Sequence, residues 1–158
     1  MLLGKKRKIG RNIEDMSIGE KLTLTEKIED KDLLLFLGLT NDANPLYIQH
    51  DYAAQTPHKK PIVPTIMLTG FITSAVSKYL PGPGSHIVAQ SLTFPKALPH
   101  YATVEFFFEV VSIDRSNSQV EIFVKALNED GYEVVRGSVT VCPPHKLERF
   151  DSSALDNF

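Results

Sequence analysis

Asp42, Asn44, Tyr47 and His50 fall within nine residues of one another, in and just beyond the stretch Asn41-Asp42-Ala43-Asn44-Pro45-Leu46-Tyr47. A carboxylate and a second ionisable group held this close can share proton-transfer work, one accepting while the other donates. The Asn44 amide can orient a water or a carbonyl. Asn44-Pro45 favours a turn, because proline restricts the residue before it. A purely structural role competes with this one. Asp42 and Asn44 could instead cap a short helix that follows them. Spacing alone leaves both roles open. Two further histidine positions bear on the chemistry: His50, three residues past Tyr47, and His58 in a proline-rich loop. If 47–50 is helical, Tyr47 and His50 share a face. None of the five histidines shows a metal-ligand spacing such as His-Glu-x-x-His, so no metal and no other cofactor is expected.

The elements that must position this loop can be read from periodicity. Residues 1–15 read as a polar lead-in. Ile18 to Ile28 reads as a first strand, with alternation at Leu22 and Leu24. Glu29-Asp30-Lys31-Asp32 supplies the acidic first turn that the helix dipole favours, so a helix follows and ends near Gly38 to Asn41. Residues 41–63 hold Pro45, Pro57 and Pro61 and are expected to be mostly irregular, with a short helical piece near Asp51 to Gln55. Thr65 to Leu80 is the longest helix, with Thr65 as its expected cap, and Pro81-Gly82-Pro83-Gly84 stops it. Its apolar content predicts a helix buried all round.

The second half reads as strands over Ile87–Phe94, Val104–Ile113, Val120–Leu127 and Tyr132–Val141. Turn residues Arg115-Ser116-Asn117-Ser118 and Asn128-Glu129-Asp130-Gly131 make the last three a meander. The fold class is therefore α+β, an antiparallel sheet wrapped around a long buried central helix. In Phe106-Phe107-Phe108, Phe107 must face away from its neighbours, which predicts a second apolar face covered by a partner.

Bulk properties narrow the function. With 158 residues and 42% hydrophobic content, the chain suits one domain with a sizeable core. A formal net charge of -2 gives no global signal for nucleic acid. The single cysteine, Cys142, offers no disulfide framework and reads as a small strand residue, which fits a reducing cytoplasm. No apolar run approaches the roughly 18 residues of a membrane span. The basic run Lys5-Lys6-Arg7-Lys8 is not followed by an apolar core, so it is not read as a secretory signal.

The segment FLGLTNDANPLYIQHDYA, Phe36 to Ala53, resembles the signature of MaoC-like, R-specific enoyl-CoA hydratases. Asp42, Asn44 and Pro45 match it, and Ala53 suits a later small position. The resemblance continues through Lys60-Pro61-Ile62-Val63-Pro64-Thr65-Ile66-Met67, Leu80 to Gly84 and Gln90 to Phe94, covering about residues 16–142. It implies a hot-dog domain over 16–142 with a polar tail from 143 to 158. It also implies a homodimer, or a heterodimer with another hot-dog chain. The implied substrate is a thioester carried by coenzyme A or acyl carrier protein. The family's aspartate and histidine add water to C3 of a 2-enoyl thioester, or remove it from an R-3-hydroxyacyl thioester, in fatty-acid metabolism. By this resemblance Asp42, Asn44 and Tyr47 hold the catalytic positions. Pro64, Thr65, Ile66 and Met67 hold the substrate, with backbone N–H groups at the start of the central helix facing the enolate-like oxygen.

Three positions depart from the family pattern. Tyr47 stands at the histidine position, Asn41 at the glycine before the aspartate, and Pro64-Thr65 at a His-Gly pair. A tyrosine ordinarily titrates near ~10 and a histidine near ~6.5, so a tyrosine here donates a hydrogen bond readily but is a poor resting base. Once buried, Asp42 could act as base alone, or His50 or His58 could replace the lost histidine. Proline has no N–H, so Pro64 cannot supply a donor. Two alternatives follow: a non-catalytic acyl-thioester-binding subunit or sensor, and an acyl-CoA thioesterase.

Overall fold

The computed structural model describes residues 9–147. The basic run at 5–8 and the tail beyond 147 lie outside the described residues. Five strands form one antiparallel sheet: β1 (Lys21–Lys27), β2 (His86–Thr93), β3 (Thr103–Asp114), β4 (Gln119–Leu127) and β5 (Glu133–Cys142). Their order across the sheet is β1-β3-β4-β5-β2. Four helices interrupt the strands: α1 (Asp30–Thr40), α2 (Pro45–Ile48), α3 (His50–Ala54) and α4 (Thr65–Lys78).

The meander β3-β4-β5 is the spine of the core. Along β4, Val120, Ile122, Val124 and Ala126 are all essentially inaccessible, while Glu121 is exposed. Burying each of the larger side chains stabilises the fold by roughly 1.5–3 kcal/mol. Both turns are closed by side chains acting on backbone. The Asp114 carboxylate accepts from the Ser116 and Asn117 N–H groups at 3.0 and 3.1 Å and from the Ser116 hydroxyl and Asn117 amide. Those hydrogen bonds, led by the one from the Ser116 hydroxyl, hold its pKa down at about 2. Asn128 Oδ1 does the same for the second turn, accepting from Asp130 and Tyr132 N–H at 3.0 and 2.9 Å.

The chain crosses from α4 to place β2 outside β5. Gly137 makes this pairing close: a Cβ there would come within 2.0 Å of the Ser91 carbonyl oxygen. Only a residue without a side chain permits that approach. Phe107 faces away from Phe106 and Phe108, as its strand position requires. It is half-buried, and its ring is covered from within the chain by Lys125, whose Nζ sits 5.4 Å from the centroid. Arg136 covers Phe123 on the same face at 5.2 Å. Within the single chain these two cations cover part of the face on which a partner was expected.

The stretch expected as a lead-in is docked from Gly10 onward. Gly10 and Arg11 donate to the Pro83 and Pro81 carbonyls, and Ile13 and Met16 join the core. The central helix also departs from expectation. Leu68, Ile72, Ala75 and Val76 are buried against the sheet, but Thr65, Ile66, Gly70, Thr73 and Ser77 are exposed. Within one chain α4 is covered on one side only, because a single five-stranded sheet presents one face to it. Among the described residues no helix is long and apolar enough to cross a membrane.

Candidate functional site

The Asp42 loop is built from caps. α1 begins with a reciprocal capping box between Glu29 and Asp32, which satisfies N–H groups that a helix start leaves free. It ends at Asn41, whose backbone is left-handed (φ 55, ψ 29). Glycine adopts that conformation most easily, and asparagine is the residue next best suited. Asn41 therefore ends α1 in a conformation that its side chain tolerates. Asp42 Oδ1 then accepts from the Asn44 N–H at 3.2 Å, and Asn44 Oδ1 accepts from the Leu46 N–H at 3.0 Å. Asn44 is the N-cap of α2, with Pro45 in its first turn. Of the two residues that could cap this helix, Asn44 does so, and Asp42 instead holds the Asn44 N–H. The expected irregular stretch contains α2 as well as α3, because this cap and proline start a helix that periodicity over four residues cannot show.

Asp42 and Asn44 are exposed in the single chain, so the burial under which Asp42 could act alone is not supplied by this chain. Tyr47 is half-buried, its ring edge-on to Phe36 at a centroid distance of 6.2 Å. Gln49, extended at φ -112 and ψ 106, separates α2 from α3, so Tyr47 and His50 do not share one helix face. His50 and His58 are both exposed, and neither ring is hydrogen-bonded among the described residues. The structure does not bring either histidine to Asp42 by a shared element.

The loop is tied to the start of α4. The Ile62 N–H donates to the Leu46 carbonyl at 3.1 Å, and the Val63 N–H to the Leu98 carbonyl at 2.8 Å. Residues 61–63 thereby run between α2 and the 98–100 loop and deliver Pro64 to α4. Pro64, not Thr65, is the N-cap. A proline cap supplies no side-chain acceptor for the first N–H groups. The Met67 N–H turns back to the Pro64 carbonyl at 3.0 Å. The Thr65 and Ile66 N–H groups have no partner among the described residues. Unsatisfied N–H groups at a helix start attract an oxygen that gains negative charge.

Two grooves meet at this point. One follows α4 along β2. It opens as a cavity of about 280 Å³ lined by Thr65, Ile66, Thr69, Gln90, Leu92 and Phe94. It continues past the shared Thr69 and Gln90 into a cavity of about 530 Å³ reaching Thr73, Val76 and His86. The second groove, about 490 Å³, lies between α1 and α4, with Leu35, Phe36, Leu39, Ile66, Met67 and Phe71 in its walls. Asp42 lines neither of them. Of the residues that line the β2 groove, Thr69, Thr73 and Gln90 were not singled out from the sequence. The fourfold spacing of Thr65, Thr69, Thr73 and Ser77 was a legible signal, since it draws one polar stripe along an otherwise apolar helix. No group of three or more His, Cys, Asp and Glu side chains among the described residues could hold a metal ion.

This chain is 33% identical over 131 residues to the (R)-specific enoyl-CoA hydratase of Rhodospirillum rubrum, a match spanning 83% of this chain and 90% of that protein. The chain belongs to the MaoC-like, R-specific enoyl-CoA hydratase family. An R-hydratase of Pseudomonas aeruginosa has the same hot-dog fold, with a TM-score of 0.80 and 26% identity over 90% of this chain and 93% of that one. A chain of the ChsH1–ChsH2 complex of Mycobacterium tuberculosis shares the fold at 21% identity, with a TM-score of 0.72 over 80% of this chain and 98% of that one. No family model matches the sequence.

Proposed function

We propose that this protein is a hydro-lyase that hydrates 2-enoyl thioesters and dehydrates R-3-hydroxyacyl thioesters carried by coenzyme A or acyl carrier protein. The observation that carries this reading is the pair of free N–H groups, Thr65 and Ile66, at the mouth of a groove, on a segment that the Ile62 N–H ties to the Leu46 carbonyl just past Asp42 and Asn44. The thioester carbonyl oxygen takes those hydrogen bonds. Asp42 accepts a proton from water as the water oxygen bonds to C3. The electron pair of the C2–C3 double bond moves toward the carbonyl, which becomes enolate-like, and the N–H groups stabilise that charge. A proton returned to C2 completes the addition. In this reading Asn44 orients the water or the carbonyl, and the Tyr47 hydroxyl takes the donor part that the resemblance gives to a histidine.

The groove along α4 and β2 is open on its outer side in one chain. Among the described residues β2 is an edge strand paired only to β5, and Val88 on it is 45% exposed. An unpaired edge of this kind invites a second strand. In this reading a second hot-dog chain, identical or related, covers the edge and closes the groove. The chain then works without a nucleic-acid or membrane partner.

A second reading rests on the edge-on packing of Tyr47 against Phe36, which gives Tyr47 a structural task and leaves a chain that binds acyl thioesters without turning them over. One experiment separates the two. Purified protein is incubated with crotonyl-CoA while loss of the enoyl absorbance and release of free thiol are both followed. Enoyl loss that Asp42→Asn abolishes supports the hydro-lyase. Thiol release points instead to a thioesterase. Binding without either reaction establishes the binder and overturns the enzyme.

A further inference from the structure

Tyr101 has a left-handed backbone, φ 65, although its side chain is bulky and half-exposed. Large residues rarely hold that conformation unless surrounding contacts impose it. The contact here is a hydrogen bond of 2.6 Å from the Tyr101 hydroxyl to Asp30 Oδ1. A carboxylate acceptor makes such a bond strong. That hydrogen bond also raises the pKa of Tyr101, so the hydroxyl stays a donor through the neutral range. Behind it, the His100 ring lies 4.0 Å from the Tyr101 ring, centroid to centroid. His100 is buried, its Nδ1 is 3.8 Å from the same Asp30 oxygen, and its Nε2 has no partner among the described residues.

The two ends of this clasp are informative. Asp30 is the first residue of α1, and Asn41-Asp42 follow the last. The His100 N–H donates to the Pro61 carbonyl at 3.0 Å, at the start of the segment that enters α4. The clasp therefore links the beginning of α1 to the beginning of α4. Little else anchors α1. Only Phe36 of its eleven residues is buried, while Leu34, Leu35 and Leu39 are 67%, 72% and 86% exposed. The Ile28 N–H bonds to the Ala102 carbonyl at 3.0 Å and so holds the chain just before the helix without setting the helix direction.

We propose that Tyr101 is a positioning residue for the chemistry at Asp42, setting the tilt of α1 through Asp30. This rests on the hydro-lyase reading above. Eleven residues at 1.5 Å each make a lever of about 16 Å, so a tilt of about 5° moves the Asp42 end by about 1.4 Å. A displacement of about 1 Å from reacting geometry can cost about a hundredfold in rate.

The test is Tyr101→Phe, which removes the hydroxyl and keeps the ring. With crotonyl-CoA, kcat falls by about tenfold or more while KM changes little, as expected when placement and not binding is lost. Amide exchange speeds up over residues 30–42 and not in β4. Asp30→Asn keeps an acceptor and retains more kcat than Asp30→Ala. The double variant Tyr101→Phe/Asp30→Ala is no slower than its slower parent. A wild-type kcat in Tyr101→Phe, or additive losses in the double variant, overturns the proposal. Unchanged exchange over 30–42 overturns it whether or not the protein turns over. Faster exchange in a protein whose wild type has no hydratase activity overturns the proposed function and leaves the clasp standing.

Discussion

The sheet with α4 and the segment 30–60 are held together by different forces. In β4 every second side chain is sealed from water, and each is an apolar residue. Across residues 30–60 only Phe36 and Ala53 are buried, and the geometry comes from caps, from Asn41 in a left-handed turn, and from hydrogen bonds to neighbouring loops. The first region carries stability and, at the start of α4, the N–H groups proposed to hold the carbonyl; the second carries the proposed acid–base chemistry. Low burial lets the loop hold an exposed carboxylate, but it makes the loop's precision depend on a few directional bonds.

Substitutions should separate the two regions. The largest effect is expected at Asp42→Asn, with a loss of about 10²–10⁴ in hydration rate. Its melting temperature should stay near wild type, since Asp42 is exposed and asparagine retains the acceptor for the Asn44 N–H. A large drop in melting temperature would erase the division. Ile122→Ala inverts the pattern: a cavity in the sealed core costs about 2–5 kcal/mol by urea denaturation, while activity per folded molecule persists. Tyr47→His should raise the hydration rate by about tenfold or more, since a positioned acid–base partner is worth at least that much. No gain would show that the loop geometry, and not the residue type, limits the chemistry.

Smaller effects sharpen the contrast. Asn44→Ala removes the α2 cap and should destabilise by about 0.5–2 kcal/mol, read most clearly as faster amide exchange over 46–48. The smallest effect belongs to the sheet. The folded pKa of Asp114, about 2, lies below its ordinary value of 3.8. A carboxylate held low in the folded state stabilises above its unfolded pKa and loses that contribution as pH falls through the folded one. Wild type should therefore melt above Asp114→Ala at pH 5, and the gap should close between pH 4 and pH 2. A gap that is constant with pH would remove the turn's electrostatic role.

Regular strands and the long helix were legible because side-chain periodicity over seven or more residues encodes which face is buried. Leu22 and Leu24 in β1 and the alternation of β4 illustrate this. α2 was legible only as the short helix that Asn44 could cap, since four residues carry no period and the helix rests on Asn44 and Pro45 acting on a loop anchored elsewhere. Thr65 was expected as a cap and proved to be the first helical residue, because the chain enters α4 at an angle set by Ile62 and Val63. The Asp42, Asn44 and Pro45 positions were recognisable as a motif. The Tyr101–Asp30 clasp was not, because 71 residues separate its ends.

By itself the sequence determined the fold class, the family and the segment in which chemistry would be sought. These are properties of local residue order: alternation, capping signals and a contiguous motif. Only the tertiary structure decided that β2 lies outside β5, that α4 is covered on one side, and that two free N–H groups open onto a groove. Those outcomes depend on contacts between residues far apart in the chain, and no local pattern specifies which distant backbone, such as Ser91 against Gly137, will come within reach.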